Sequence, residues 1–417
     1  MVKSIKIPWG AWYNEPEQLQ LEFPGSWDVQ VFDMNNFESI NDQSVIEKAI
    51  KKPFGTDKLS EIAKGKKNAV IIFEDISRPT KCEPILSVLL DELNSAGISD
   101  ENITLIGAVG SHRPMNRIDY VKKLGEKIVG RANIENHHPY ENLIGLGESN
   151  RGTPINLNKT YHQAEVKIAI STVIPHPLAG FGGGAKIILP GICGIETLAA
   201  NHAAALEGKG VGVGFITDLR KDIEEVCERV GLDFSVNIIA TKNRGIAGIF
   251  AGHFIEAHRK AIELGKKVYQ TDIPKITEEK NKFDIGMFNL FPEDTELTQS
   301  SKGNNLFMQA ENILKEEAVI IFSTASPEGR GYHSLFSETG GNLYEDWKDT
   351  VELLMEFFEE KTFAIYSPNL TRADIDHFWS EEMLLFHSFP KLTEEISKQV
   401  PSDPKVAIFP TSIQLIS

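Results

Sequence analysis

The sequence predicts an α/β fold made of two α/β domains with largely parallel sheets. Three observations carry this. Short apolar runs rich in β-branched residues recur along the chain, amphipathic segments separate them, and 417 residues exceed what one hydrophobic core usually serves. The runs are Ala69–Phe73, Ile103–Val109, Val166–Ile174, Val236–Ala240, Phe283–Leu290, Ala318–Thr324 and Phe363–Tyr366. Each is the length of a buried strand. Lys81–Ala96, Ile195–Leu206, Phe254–Tyr269 and Tyr344–Glu359 read as helices. The charged stretch Ile276–Lys282 follows one of these helices and precedes a new strand, which predicts a first domain over 1–275 and a second over 276–417.

A formal net charge of −16 argues against a nucleic-acid partner, because phosphate binding needs a basic face. Any anionic substrate must then be held by local Arg, Lys or metal. Three cysteines without CxxC spacing make neither a disulfide framework nor a zinc site. The N-terminus lacks an apolar leader and no run of eighteen apolar residues occurs, so no membrane association is expected and the cytoplasm is the expected location.

Polar residues gather where strands are predicted to end, which is where open α/β sheets bind ligands. Asp75, Ser77 and Arg78 follow the first run, and Gly110-Ser111-His112-Arg113 follows the second. His176, the glycine run Gly182-Gly183-Gly184 and Lys186 follow the third; His202 lies on the helix-like Ile195–Leu206. Gln299 and Lys302 follow the first strand of the second domain, and together these loops predict an active-site cleft between the domains. Plainer readings exist for each group alone: a capped helix start for Asp75–Thr80, a loop feature for His137-His138, and a core position for His202. The segment Gly180–Lys186 fails the P-loop pattern at Ala185 and Ile187, and Gly208–Gly214 lacks GxGxxG spacing, so neither predicts binding of a nucleoside triphosphate or NAD.

In order, DxSRP, GSHRP, IPHPxxGFGGGAKxxLPG, the Asn-His at 201–202 and QSSK resemble the nickel-dependent lactate racemase family. The resemblance runs from about residue 70 to 305 and is most specific in its central block. It implies a racemase or epimerase acting on the 2-hydroxy carbon of a 2-hydroxy acid. It implies as cofactor a nickel-pincer nucleotide, a pyridinium mononucleotide with sulfur arms that holds nickel. By motif, Lys186 is the covalent tether, His202 the nickel ligand, and His112 with His176 the acid/base pair. Arg78, Gln299 and Lys302 hold the substrate carboxylate. Asp75 and Ser77 fix the cofactor phosphate or orient His112, and Gly183 and Gly184 make room for the cofactor. Residues 1–275 are then the cofactor-binding catalytic domain and 276–417 close over the substrate. Cofactor-maturation enzymes are implied partners, and a homo-oligomer is compatible. The alternative is a carrier of the same nucleotide without catalysis, which would need Lys186 and His202 but not two further histidines.

The chemistry suits these residue types. The α-hydrogen of a hydroxy acid is a very weak acid, so removing it as hydride is the easier route, and that demands a cofactor. Each enantiomer presents its hydroxyl in a different pose, hence two imidazoles. Thr298 stands where lactate-specific members are expected to carry an aromatic residue, which opens room for a longer or more polar acid. Trp347 and Trp379 are the candidate aromatic pocket residues.

Overall fold

The computed structural model describes residues 2–12, 18–35, 37–206, 213–335, 349, 351–352, 355–356 and 358–416. Residues 208–212 of the Gly208–Gly214 run, Trp347 and much of the expected helix Tyr344–Glu359 lie outside them.

Two compact units result. One contains Asn36–Val268 and His333–Leu335; the other contains Met1–Asn35, Tyr269–Tyr332 and Phe336–Ser417. The expected division at residue 275 therefore needs correction in two ways. The break in the middle of the chain comes at Val268/Tyr269, and the first 35 residues fold with the C-terminal part. Sequence patterning missed this because the N-terminal hairpin, β1 (Lys3–Pro8) with β2 (Gln18–Phe23), packs on residues far along the chain and the strand Asp28–Val31 pairs with Lys405–Ile408.

In the first unit the strands β4 (Ala69–Glu74), β5 (Ile103–Ala108), β6 (Asn133–Asn136), β9 (Val166–Thr172), β12 (Phe234–Ala240) and β13 (Ile246–Gly252) form one sheet in the order β13-β12-β9-β4-β5-β6. Every pairing is parallel except β12 with β13. β9 is buried save for the half-buried Lys167 and β12 is buried throughout, which is why both read as mainly apolar. The helix Glu83–Ser95 joins β4 to β5 and turns Ile85, Leu86, Leu89, Leu90 and Leu93 inward. A hairpin, β7 (Leu143–Glu148) with β8 (Pro154–Asn158), precedes β9. From β4 the chain winds outward through β5 and β6, and from β9 it winds the other way to β12. The β4/β9 boundary is thus a topological switch point, where loops diverge and leave a crevice.

The second unit centres on β15 (Phe283–Asn289). Its sheet runs β18-β17-β16-β15-β19-β3, all parallel, with β16 Leu314–Ser323, β17 Thr362–Tyr366, β18 Leu384–Phe386, β19 Lys405–Phe409 and β3 Asp28–Val31. The β3–β19 pairing, together with Ile7, Trp9, Leu21, Phe23 and Trp27 packed against Ile285, Met287 and Ile408, fixes the N-terminus here. Both sheets are α/β with mostly parallel strands, as the sequence predicts. No helix among the described residues is long and apolar enough to cross a membrane.

His137 is a structural histidine. Its Nε2 donates to Cys193 O (2.9 Å), and Asn158 Nδ2 lies 3.3 Å from its Nδ1. Burial pulls its pKa from 6.5 down to about 4 despite the Cys193 carbonyl. The unfolded chain therefore binds a proton between pH 6.5 and 4 that the native state refuses, so stability falls as pH drops through that window. Urea unfolding of His137→Asn should show a shallower loss across the same range; an unchanged slope would contradict this reading.

Candidate active site

Three loops leave the strand ends around the β4/β9 switch point. Glu74, the last residue of β4, ties two of them together, those after β4 and β9. Its carboxylate accepts from Thr172 N (3.0 Å) and Thr172 Oγ1 (3.0 Å) at the end of β9, and from Thr80 Oγ1 (2.7 Å) in its own loop. Beneath that loop the buried Lys123 donates to Arg78 O (2.9 Å). Arg78 itself is half-buried at the loop's edge.

Asp75 and His112 form the chemical centre of this arrangement. His112 Nδ1 lies 2.8 Å from Asp75 Oδ2, while Asp75 Oδ1 accepts from both the backbone N–H (2.7 Å) and the hydroxyl of Ser77. Burial alone would raise the Asp75 pKa. The neighbouring His112, Arg78 and Ser77 outweigh it and hold the carboxyl well below the usual carboxylate range. An ionised carboxylate can only accept, so the His112 proton sits on Nδ1 and Nε2 carries the basic lone pair. Asp75 and Ser77 were candidates for either a cofactor phosphate or His112. In the structure Asp75 pairs with His112, and Ser77 donates to Asp75. Arg113, the other cation of the motif, is engaged by Asp119 (2.6 Å) near the start of the helix Arg117–Leu124.

His176 has the opposite polarity. Its Nδ1 accepts from Leu178 N and Ala179 N, both at 3.2 Å, which leaves its proton on Nε2. It lies in the two-residue strand β10 (Pro175–His176), paired antiparallel with β11 (Gly180–Phe181).

The glycine run is closely packed. At Gly183 (φ +69°) a Cβ would sit 2.6 Å from Val173 Cγ2 and 3.0 Å from Thr172 O; at Gly184 it would sit 2.9 Å from the His258 ring. These glycines are required by the close approach of the loop to the end of β9 and to His258. The polar groups of the run are also committed inward. Gly184 N donates to Ser171 Oγ (3.1 Å) and Asn237 Oδ1 (2.9 Å). The fully buried Arg220 donates to the carbonyls of Phe181 (2.8 Å), Gly182 (3.1 Å) and Gly183 (3.0 Å).

His258 completes this support. Arg259 Nη1 lies 3.0 Å from its Nδ1, so the imidazole proton belongs on Nε2, which donates to Gly182 O (2.8 Å). Arg220 Nη2, 2.7 Å from the same Nε2, is then satisfied by the loop carbonyls rather than by the ring. Burial, with Arg220 beside it, keeps His258 neutral. Between buried Ala185 and Ile187, Lys186 is the half-buried side chain of the 3-10 turn Gly184–Ile187.

His202 lies on the helix Ile195–Leu206. Its Nδ1–H donates to Leu198 O (2.8 Å), the arrangement in which an imidazole offers Nε2 to a metal. The preceding Asn201 anchors the helix: its amide donates to Asp222 (3.0 Å), which also accepts from Ser149 (2.6 Å) and Thr153 (2.9 Å). Among the described residues no group of three or more His, Cys, Asp or Glu side chains could hold a metal, so an ion on His202 would need donors from a bound molecule. The three cysteines are free and buried, and burial pushes the Cys82 thiol up to about 12.

Gln299 and Lys302 belong to the second unit. Gln299 is fully buried, its Oε1 accepts from Lys302 Nζ, and its Nε2 has no hydrogen-bond partner. An orphaned buried donor beside an ammonium suits a carboxylate. Thr298 is buried and bonded to Glu296 (2.9 Å). Trp379, a candidate pocket residue, instead packs 5.4 Å from Phe322 in the core of this unit.

Sequence reasoning missed Arg220, His258 and His333. Arg220 stands in an Asp/Glu/Arg-rich helix, Asp218–Val230, that reads as a solvated surface. The other two lie outside any motif, and only the folded chain brings them to the site.

A largely parallel α/β sheet with a buried Asp–His pair among the loops at its switch point is the build of an α/β enzyme. The comparisons agree. The model of the lactate racemase N-terminal domain matches residues 13–214. A lactate racemase of Lactiplantibacillus plantarum is 30% identical over 305 residues, 71% of this chain and 70% of that protein. One from Thermoanaerobacterium thermosaccharolyticum is 28% identical over 298 residues, 70% of this chain and 68% of that one. Among solved structures, the lactate racemase apoprotein from T. thermosaccharolyticum matches over 100% of both chains with a TM-score of 0.75 at 22% identity. A Thermotoga maritima protein matches over 92% of this chain and 100% of its own, with a TM-score of 0.68 at 18% identity. The chain belongs to the lactate racemase family and is an isomerase.

Proposed function

We propose that the protein inverts the hydroxyl-bearing carbon of a 2-hydroxy acid, lactate or a longer or more polar analogue, using a nickel-pincer nucleotide joined covalently to Lys186. The observation that carries this is the Asp75–His112 pair, in which a buried carboxylate sets the imidazole to accept a proton at Nε2. A carrier of the cofactor would have no use for it. The residues present fit the group. Lys186 offers an amine, and His202 has the tautomer a metal ligand needs. When bound, the group supplies the acceptor and donor of hydride for the substrate carbon.

The chain's own residues do the rest. His112 takes the hydroxyl proton in one pose of the substrate, and His176, with its proton on Nε2, faces the oxygen in the other. Arg78 holds the carboxylate, and Gln299 with Lys302 presents a second carboxylate-binding pair. Maturation enzymes supply the nucleotide, and the cytoplasm, where free thiols persist, is the proposed location.

Protein co-expressed with cofactor-making enzymes should contain nickel and carry an added mass on the peptide containing Lys186; Lys186→Ala should carry neither. Wild-type protein without adduct and without nickel would contradict the proposal.

A further inference from the structure

The segment His333–Leu335 leaves the rest of its neighbourhood in the chain and folds onto the loop that bears His112. His333 makes an antiparallel bridge with His112, and Ser334 donates to Ser111 O through both its backbone N–H (2.9 Å) and its hydroxyl (3.0 Å). The two imidazole rings lie 5.1 Å apart between centroids at 53°. Ser111 Oγ sits 3.4 Å from both ring nitrogens of His333, and Leu335 N lies 3.3 Å from its Nδ1. His333 is only 5% exposed. An N–H pointing at Nδ1 makes that nitrogen an acceptor, so the ring is neutral with its proton on Nε2.

Asp75 holds His112 at Nδ1, and the His333 ring packed beside it narrows the motion open to the imidazole; a neutral neighbour does so without repelling the imidazolium that forms when His112 takes a proton. We propose that His333 is a positioning residue that acts through His112, holding its ring so that Nδ1 stays on Asp75 while Nε2 meets the substrate oxygen. The assignment rests on the reading of His112 as the base.

The test uses the full chain in two forms. In the cofactor-loaded enzyme, His333→Ala should lower kcat by about 10- to 100-fold with KM changed by less than about 2-fold, and with nickel content and the Lys186 adduct mass unchanged. In the protein without cofactor, the low-field proton NMR signal of the His112 Nδ1–H bonded to Asp75 should broaden or vanish in the same variant. His333→Phe, which keeps a planar cover, should restore most of kcat and the signal. An alanine variant with wild-type kcat and an intact signal, or a phenylalanine variant as impaired as alanine, overturns the proposal. A loaded wild-type enzyme that inverts no 2-hydroxy acid would instead defeat the functional reading, while the NMR arm still judges the positioning role.

Discussion

Replacing His112 by alanine is expected to lower turnover of the loaded enzyme by about 10²–10⁴-fold, the usual worth of a positioned general base. The adduct on Lys186 should remain, because the Asp75–His112 pair is held by loops after β4 and β5 and takes no part in supporting the Gly183–Lys186 turn. Asp75→Asn should cost on the order of 10³–10⁴-fold, although its shape is nearly unchanged. An asparagine amide can donate to His112 Nδ1, which moves the imidazole proton to Nε2 and removes the lone pair that takes the hydroxyl proton. Two enantiomers have equal free energy, so kcat/KM must fall by the same factor in both directions. Polarimetry from either pure enantiomer checks this. Wild-type rates in either variant would remove His112 from the mechanism.

The largest effect on stability is expected at Arg220. Its guanidinium is fully buried and caps the carbonyls of Phe181, Gly182 and Gly183, while Glu224 lies 3.7 Å from its Nε. Burial lowers its pKa to about 10, so it remains charged at neutral pH. Arg220→Met would take the guanidinium from Phe181 O, leave Gly182 O to His258 Nε2 (2.8 Å) and Gly183 O to Lys186 N (3.2 Å), and leave Glu224 to Arg259 (2.7 Å), a loss of about 3–5 kcal/mol in urea unfolding. Arg220→Lys, which can cap one or two carbonyls, should fall between. Both variants should also take up less adduct at Lys186, because the turn that presents its amine hangs on these carbonyls. A change below about 1 kcal/mol for Arg220→Met would show that the loop is held by other means.

The α/β class and most of the central strands were legible because buried parallel strands write themselves as unbroken apolar runs, as Ala69–Phe73 of β4 and Ala318–Phe322 of β16 do. The site residues that follow β4, β5 and β9 were legible because strand ends are where polar loops collect. Pairing partners distant in sequence were not. Nothing in Asp28–Val31, whose residues are mostly exposed, announces that it joins β19 beside Lys405–Ile408. The glycine run also has a packing reason that the sequence does not announce: a Cβ at Gly183 or Gly184 would meet Val173, Thr172 or His258. The 2.8 Å contact of Asp75 with His112 joins loops after different strands, which no local pattern announces.

The most direct test follows the α-hydrogen. Loaded enzyme is incubated in D2O with a single enantiomer of lactate and, separately, of longer and more polar 2-hydroxy acids, and the product is examined by chiral chromatography with mass spectrometry. Transfer of the hydrogen as hydride, with His112 and His176 handling only the hydroxyl proton, predicts inverted product that keeps its protium at C2. Inverted product carrying deuterium at C2 would show that the hydrogen leaves as a proton and would contradict the account.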